Sequence, residues 1–253
     1  MKWRRAFTLI ELLTVIAIIA ILAALLLPSL SGAKNRAAEA TDFSNFHQIV
    51  IALRVYTDDN NDGLTRPNWD YGGAMPDGKT YAGWLYTPDL SATGTNVFKP
   101  ETGLLWNALH AAKVYLCPMD RPNVARYSAH YGKVTERPQQ LSSYAMNGAV
   151  DGFRTGYKSV APAVKLSQMR PDDDVFWEAD EREPFCFNDG SNWPFEGITT
   201  RHSQGAVLAA VDGSASYIRL ADWQSTVADM SKNRLWCYPN TADGGDPKYG
   251  HDN

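Results

Sequence analysis

"RRAFTLIELLTVIAIIAILAALLLP", residues 4–28, decides how the rest of the chain is read. From Leu12 to Leu27 the only polar side chain is Thr14. Coiled as a helix, Phe7 to Leu27 reaches about 30 Å, the thickness of a bilayer's hydrocarbon core. Lys2, Arg4 and Arg5 precede the run with no acid among them, and Lys34, Arg36, Glu39 and Asp42 follow it. That bias keeps the short N-terminus in the cytoplasm and exports the roughly 220 residues beyond the span. A cleaved secretory signal fits less well. Its apolar core is about 7–15 residues long and ends at small residues, whereas this run is longer and leads into Leu27-Pro28-Ser29-Leu30. One residue breaks the pattern. Glu11 lies near the start of the run, and an ionisable group in a span costs roughly 2.5–3.5 kcal/mol, less near the interface. Such a group needs a partner, and no Lys, Arg or His occurs between residues 6 and 33.

The residues FTLIELL behind a short basic leader resemble the N-terminus of type IV prepilins and type II secretion pseudopilins. The resemblance implies that a prepilin peptidase removes Met1 to Ala6 and that Phe7 becomes the N-methylated first residue. Ala6 stands where the family usually has Gly. The resemblance also implies that Glu11 pairs with the terminal amine of a neighbouring subunit and sets the stagger between helices. Pro28 would kink a helix that continues past the membrane. The implied partners are the prepilin peptidase, other pilin-like subunits, an inner-membrane assembly platform and membrane lipid. The implied place is the cytoplasmic (inner) membrane of a diderm bacterium, crossed once, with the head in the periplasm.

Residues 29–57 extend the helix. Phe43, Phe46, Val50, Leu53 and Thr57 follow 3-4 spacing, with Ile49 and Tyr56 beside them, an amphipathic face that suits a sheet. The expected fold is α+β and pilin-like. A long N-terminal helix, membrane-spanning over 7–28 and amphipathic over 29–57, packs on an antiparallel β-sheet in an exported head, residues 58–253. His47 on this helix carries no assigned role.

"TDDNNDG", residues 57–63, ends the helix. Asp58, Asn60, Asp62 and Gly63 match the first half of an EF-hand loop and make a weak Ca²⁺ candidate, but Trp69 occupies the twelfth position, where a bidentate Glu is needed. A polar, Gly-terminated helix stop is the preferred reading of the same residues. No cofactor is required. Residues 64–140 are loop-rich. Within them 102–118 reads as a short helix over 103–112 and then a strand ending at Cys117-Pro118; 141–148 reads as a further strand. Val175–Ala179 is a strand between acidic clusters. Glu178, Asp180, Glu181 and Glu183 would act as a glycosidase pair only with two carboxylates about 5–10 Å apart on a cleft, and acids flanking a strand are usually solvated.

"RHSQGAVLAAVDGSASYIRL", residues 201–220, predicts a hairpin over 205–219 with Asp212-Gly213 as its turn. His202, nine residues and then Asp212-Gly213 resemble the H-x9-D-G segment of prepilin-like proteins with large exported domains. An extended strand puts His202 and Asp212 on the order of 30 Å apart, too far for a dyad. His202 is read as the hairpin's lead-in. Cys117, Cys186 and Cys237 permit one disulfide among three pairings, and no C-x-x-C or Cys/His spacing suggests zinc. A net charge of −4 gives no basic footprint for nucleic acid. The chain reads as a structural subunit, not an enzyme, of a type II secretion or type IV pilus-like filament. The rival is a membrane-anchored exported glycan-binding protein or hydrolase that uses the N-terminus only as a tether.

Overall fold

The structure is a computed structural model that describes residues 8–68, 80–92, 98–120, 126–128, 133–135, 141–150, 164–180, 190–229 and 231–244. Helix α1 runs from Leu9 to Asp59, 51 residues without interruption, or about 77 Å. It continues through Pro28. The proline ring leaves the Ala24 carbonyl without an amide donor, and the next hydroxyl, Ser29, turns back onto the Leu26 carbonyl at 2.9 Å. Along residues 9–30 the large apolar side chains, from Leu9 to Leu30, are exposed. Burial begins at Ala38 and continues through Asp42, Asn45, Phe46, Ile49, Val50, Ala52, Leu53 and Thr57, with Phe43 and Tyr56 half-buried beside them. The helix therefore has a free apolar half and a docked amphipathic half. Each large apolar side chain sealed in the docked half contributes about 1.5–3 kcal/mol, which carries the polar Asp42 and Asn45 into the same face.

Among the described residues the head has seven strands: β1 (Arg126–Ser128), β2 (Lys133–Thr135), β3 (Tyr144–Asn147), β4 (Asp174–Glu178), β5 (Ser191–Asn192), β6 (Gly205–Ala210) and β7 (Ala215–Arg219). β1 and β2 form a separate antiparallel pair; the other five form one sheet in the order β5-β3-β4-β6-β7. The sheet is mixed rather than wholly antiparallel, because β5 pairs parallel to β3. β4 already has β3 and β6 on its two sides. The chain leaving β4 therefore reverses, skips over β3 and lies beside it in the same direction.

The described residues of the head also form two short α-helices, α2 (Trp106–Leu109) and α3 (Leu220–Ala228). The strand expected before Cys117 is instead a 3-10 turn, Ala112–Tyr115. Its carbonyls serve other partners than a ladder: Tyr115 C=O accepts from Ser143 N–H at 2.8 Å, and the next carbonyl, Leu116, accepts from Asn45 Nδ2 at 3.2 Å. One face of the sheet packs Tyr144, Met146, Phe176, Val207 and Ala209 with Phe46, Ile49, Val50 and Leu53 of α1; the other packs Trp177, Ala206, Leu208 and Ile218 with Trp223 of α3 and Leu235. Because both faces are covered, all six residues of β6 are buried. Cys117 and Cys237 are buried, unbridged thiols; Cys186 lies outside the described residues.

Candidate functional site

The free end of α1 begins with Thr8. Its hydroxyl accepts from the Glu11 N–H at 3.3 Å, and the Glu11 carboxylate accepts from the Thr8 N–H at 2.9 Å and from the Thr8 hydroxyl at 2.7 Å. This is a reciprocal capping box, which satisfies helix-terminal donors that have no intrahelical partner. Glu11 thus has a neutral partner on its own chain, in a stretch whose sequence holds no Lys, Arg or His. The T-x-x-E spacing that signals it is present in residues 8–11. The expected cleavage and methylation positions, Ala6 and Phe7, lie outside the described residues.

A second constellation forms where α1 meets the head. Asp42 of α1, Cys117 after the 3-10 turn, Glu178 at the end of β4 and His202 before β6 are all buried, with their ligating atoms within 4.8 Å of one another. His202 Nε2 is at the centre, 2.9 Å from Asp42 Oδ2, 3.2 Å from Glu178 Oε1 and 3.4 Å from Cys117 Sγ. The remaining carboxylate oxygens are anchored: Tyr144 O–H donates to Asp42 Oδ1 at 2.5 Å, and Val207 N–H to Glu178 Oε2 at 2.8 Å. Asn45 Nδ2 donates in turn to the Tyr144 oxygen at 2.9 Å. Arg201 lies 3.2 Å from both Glu178 Oε1 and Asp120 Oδ1. Asp42 Oδ2 is at ion-pair distance from His202 but off the N–H direction, so it has no hydrogen bond, and His202 Nδ1 has none either.

Local backbone explains why His202 turns inward. Ser203 and Gln204 are both left-handed, with φ of 49° and 71°, and His202 and Gly205 exchange backbone hydrogen bonds across them at 3.0 and 3.4 Å. That is the tight reversal expected when both central residues have positive φ. Tyr217 O–H clamps it by donating to the His202 and Ser203 carbonyls at 2.8 and 2.9 Å. The lead-in is itself a turn, and it delivers the imidazole to the core.

The electrostatics follow from burial and partners. Burial lowers the affinity of His202 for a second proton, but Asp42, Cys117 and Glu178 outweigh it and raise its pKa above the ordinary value. Burial pushes the Glu178 carboxyl up, and His202 and Arg201 bring it below the usual range. The Cys117 thiol is pushed up to about 11 by burial, against the hydrogen bond from His202.

The segment from His202 to Gly213 is fastened to α1 at both ends. At one end His202 meets Asp42, and Asn35 Nδ2 donates to Ser203 Oγ at 2.7 Å. At the other, Arg54 Nη2 donates to the Val211 carbonyl at 2.9 Å, and His47 Nδ1 lies 3.3 Å from the Gly213 carbonyl. Asp212 accepts from Ser214 N–H at 2.8 Å within the turn, which gives Gly213 a φ of 91°. His47, to which the sequence assigned nothing, helps seat that turn. In the Asp58–Gly63 loop, Asp62 accepts from the Ser167 hydroxyl and Asn60 Nδ2 donates to Tyr56 C=O at 2.7 Å, while Asp58 is exposed. Glu178 and Asp180 are both buried; Glu181 and Glu183 lie outside the described residues.

The prokaryotic N-terminal methylation motif matches residues 4–27. It is the hallmark of type IV prepilin and pseudopilin-like proteins, which are structural and assemble with other pilin subunits. The match covers the free apolar half of α1. With it, the exposed helix fits a single-pass membrane anchor. No curated protein and no solved structure matches the chain.

Proposed function

We propose that this chain is a pseudopilin-like subunit of a type II secretion or type IV pilus-like filament at the cytoplasmic membrane. A prepilin peptidase cuts between Ala6 and Phe7, and Phe7 is then N-methylated. The free half of α1 anchors the subunit in lipid and bundles with the same helix of neighbours. Glu11 pairs with the terminal amine of an adjacent subunit, and an inner-membrane platform drives assembly. One observation carries the reading: the methylation motif at residues 4–27 lies on a helix whose large apolar side chains stay exposed through Leu30. Such a surface needs lipid or other helices around it.

The Thr8 cap bears on how the carboxylate is used. In the single subunit, Thr8 holds Glu11 with neutral donors. A neighbouring ammonium adds a charge-assisted bond that the hydroxyl does not supply. Intact-mass analysis of the protein from cells that also make the peptidase and sister subunits is the direct test. The expected chain starts at methylated Phe7. Glu11→Ala is then expected to lower crosslinking to sister subunits by roughly tenfold or more, as an unpaired terminal charge in a bilayer implies. Thr8→Ala keeps the carboxylate and is expected to assemble. A chain that still begins at Met1, or equal crosslinking by Glu11→Ala, overturns the reading.

A further inference from the structure

We infer that Asp42, Cys117, Glu178 and His202 form a tetrahedral site for a thiophilic divalent ion of the zinc class, which ties the membrane helix to the head. The donor set is one sulfur, one imidazole nitrogen and two carboxylate oxygens, all buried. Sulfur and nitrogen ligands select zinc-like ions over Ca²⁺ and Mg²⁺, which take oxygen.

The distances fit. A tetrahedral ion at ordinary zinc bond lengths holds its ligand atoms about 3.3–3.6 Å apart. Three separations from His202 Nε2 are 2.9, 3.2 and 3.4 Å, and the widest among the four atoms is within 4.8 Å. Gathering the set around an ion needs movements of about 1 Å or less on that geometry.

Protons serve this arrangement poorly. One Nε2–H faces three acceptors, and it leaves the buried Asp42 Oδ2 without a hydrogen bond. A cation has no such directionality and engages all of them together. Charge also closes. A dication with two carboxylates, one thiolate and a neutral imidazole carries one net negative charge, opposite the Arg201 guanidinium 3.2 Å from Glu178. Binding releases the thiol proton, since the thiolate is the ligand. Both carboxylates have outer supports: Tyr144 on Asp42 and Val207 N–H on Glu178 fix the oxygens that would not coordinate. A cleft between helix and head, lined by Lys34, Ala38, Thr41, Pro118, Asp120 and Arg201, lies beside the cluster, and Arg201 on its wall reaches from Asp120 to Glu178.

The ligands span the chain. Cys117 and His202 are 85 residues apart, and Asp42 belongs to α1. An ion here would cross-link the rod, the 3-10 segment, β4 and the hairpin. That function differs from filament assembly and stands whether or not Phe7 is processed.

The test uses the full chain in detergent under reducing conditions. Metal content is measured after loading with Zn²⁺ and removal of excess, and Co²⁺ is then titrated in as a spectroscopic probe. The expected result is one ion per chain, a sulfur-to-cobalt charge-transfer band and the visible bands of tetrahedral Co²⁺. Cys117→Ala is expected to remove the charge-transfer band and weaken Zn²⁺ by about 100-fold or more, the upper end of the loss seen for an outer-shell partner. Glu101→Gln, on an exposed turn, is expected to bind as the parent does. Zn²⁺ below stoichiometry in the parent chain, or Co²⁺ bound without a thiolate band, overturns the inference. Both readouts are on the unaltered protein, so they hold even where a variant fails to fold.

Discussion

Tyr144 shows how much rests on one hydroxyl. It donates to Asp42 Oδ1 and accepts from Asn45 Nδ2, both on α1, while its ring packs on Phe46 with centroids 4.3 Å apart. Tyr144→Phe keeps the ring and deletes both hydrogen bonds, leaving a buried carboxylate oxygen and a buried amide short of partners. The expected cost is about 1–3 kcal/mol. For a head of this size each kcal/mol is worth roughly 2–4 °C in melting temperature. A thermal melt of the variant should therefore fall by several degrees, and an unchanged melt would show that the hydroxyl is replaceable by water. Asp42 was within reach of sequence reasoning. It falls four residues before Phe46, in register with the apolar stripe, and a carboxylate on a core-facing stripe is a sign of a buried partner. Cys117 gave no such sign. Its neighbours in the cluster are remote in the chain, and spacing rules detect only ligands that are close in sequence.

Among the elements, α1 and the β6–β7 hairpin were legible because each is written locally. An apolar run, a 3-4 stripe and an Asp-Gly turn need no knowledge of the rest of the fold. The parallel edge formed by β5 and the 3-10 turn before Cys117 were not legible. β5 is two residues long and takes its direction from the strand it skips over. The 3-10 residues are apolar enough for a strand, but Ser143 and Asn45 take the carbonyls of Tyr115 and Leu116. The hairpin offers a graded test. At Gly213, φ is 91° and an added Cβ would meet only Val50 Cγ1, at 3.9 Å, so Gly213→Ala should cost about 1 kcal/mol of backbone strain. At Gly205 the same methyl would run into the Ile218 carbonyl and the Tyr217 ring, across the paired strands. Backbone there cannot move without parting β6 from β7, so Gly205→Ala should cost about 3 kcal/mol or more. Melting curves that rank the two variants the other way would contradict this account of the hairpin.

For the whole molecule, the boundary between anchor and head falls on α1 between Leu30, which is exposed, and Ala38, where burial begins. Asn35 makes the first bond to the head, through Ser203. A chain of residues 31–253 therefore keeps every described contact of the head and loses only the apolar half of the rod. It should be monodisperse without detergent by gel filtration, with a cooperative melt close to that of the parent. Aggregation without detergent would show that the free half of α1 also shields the head.

Because the rod is unbroken through Pro28, the angle between side chains at its two ends is fixed. The buried bonds of Asp42 and Asn45 stop α1 from rolling on the sheet and fix which side of it faces the head. Glu11 lies 31 positions earlier on the same helix. At 3.6 residues per turn it points roughly 140° away from the direction of Asp42. On that geometry the Glu11 carboxylate faces the side of the rod turned away from the head.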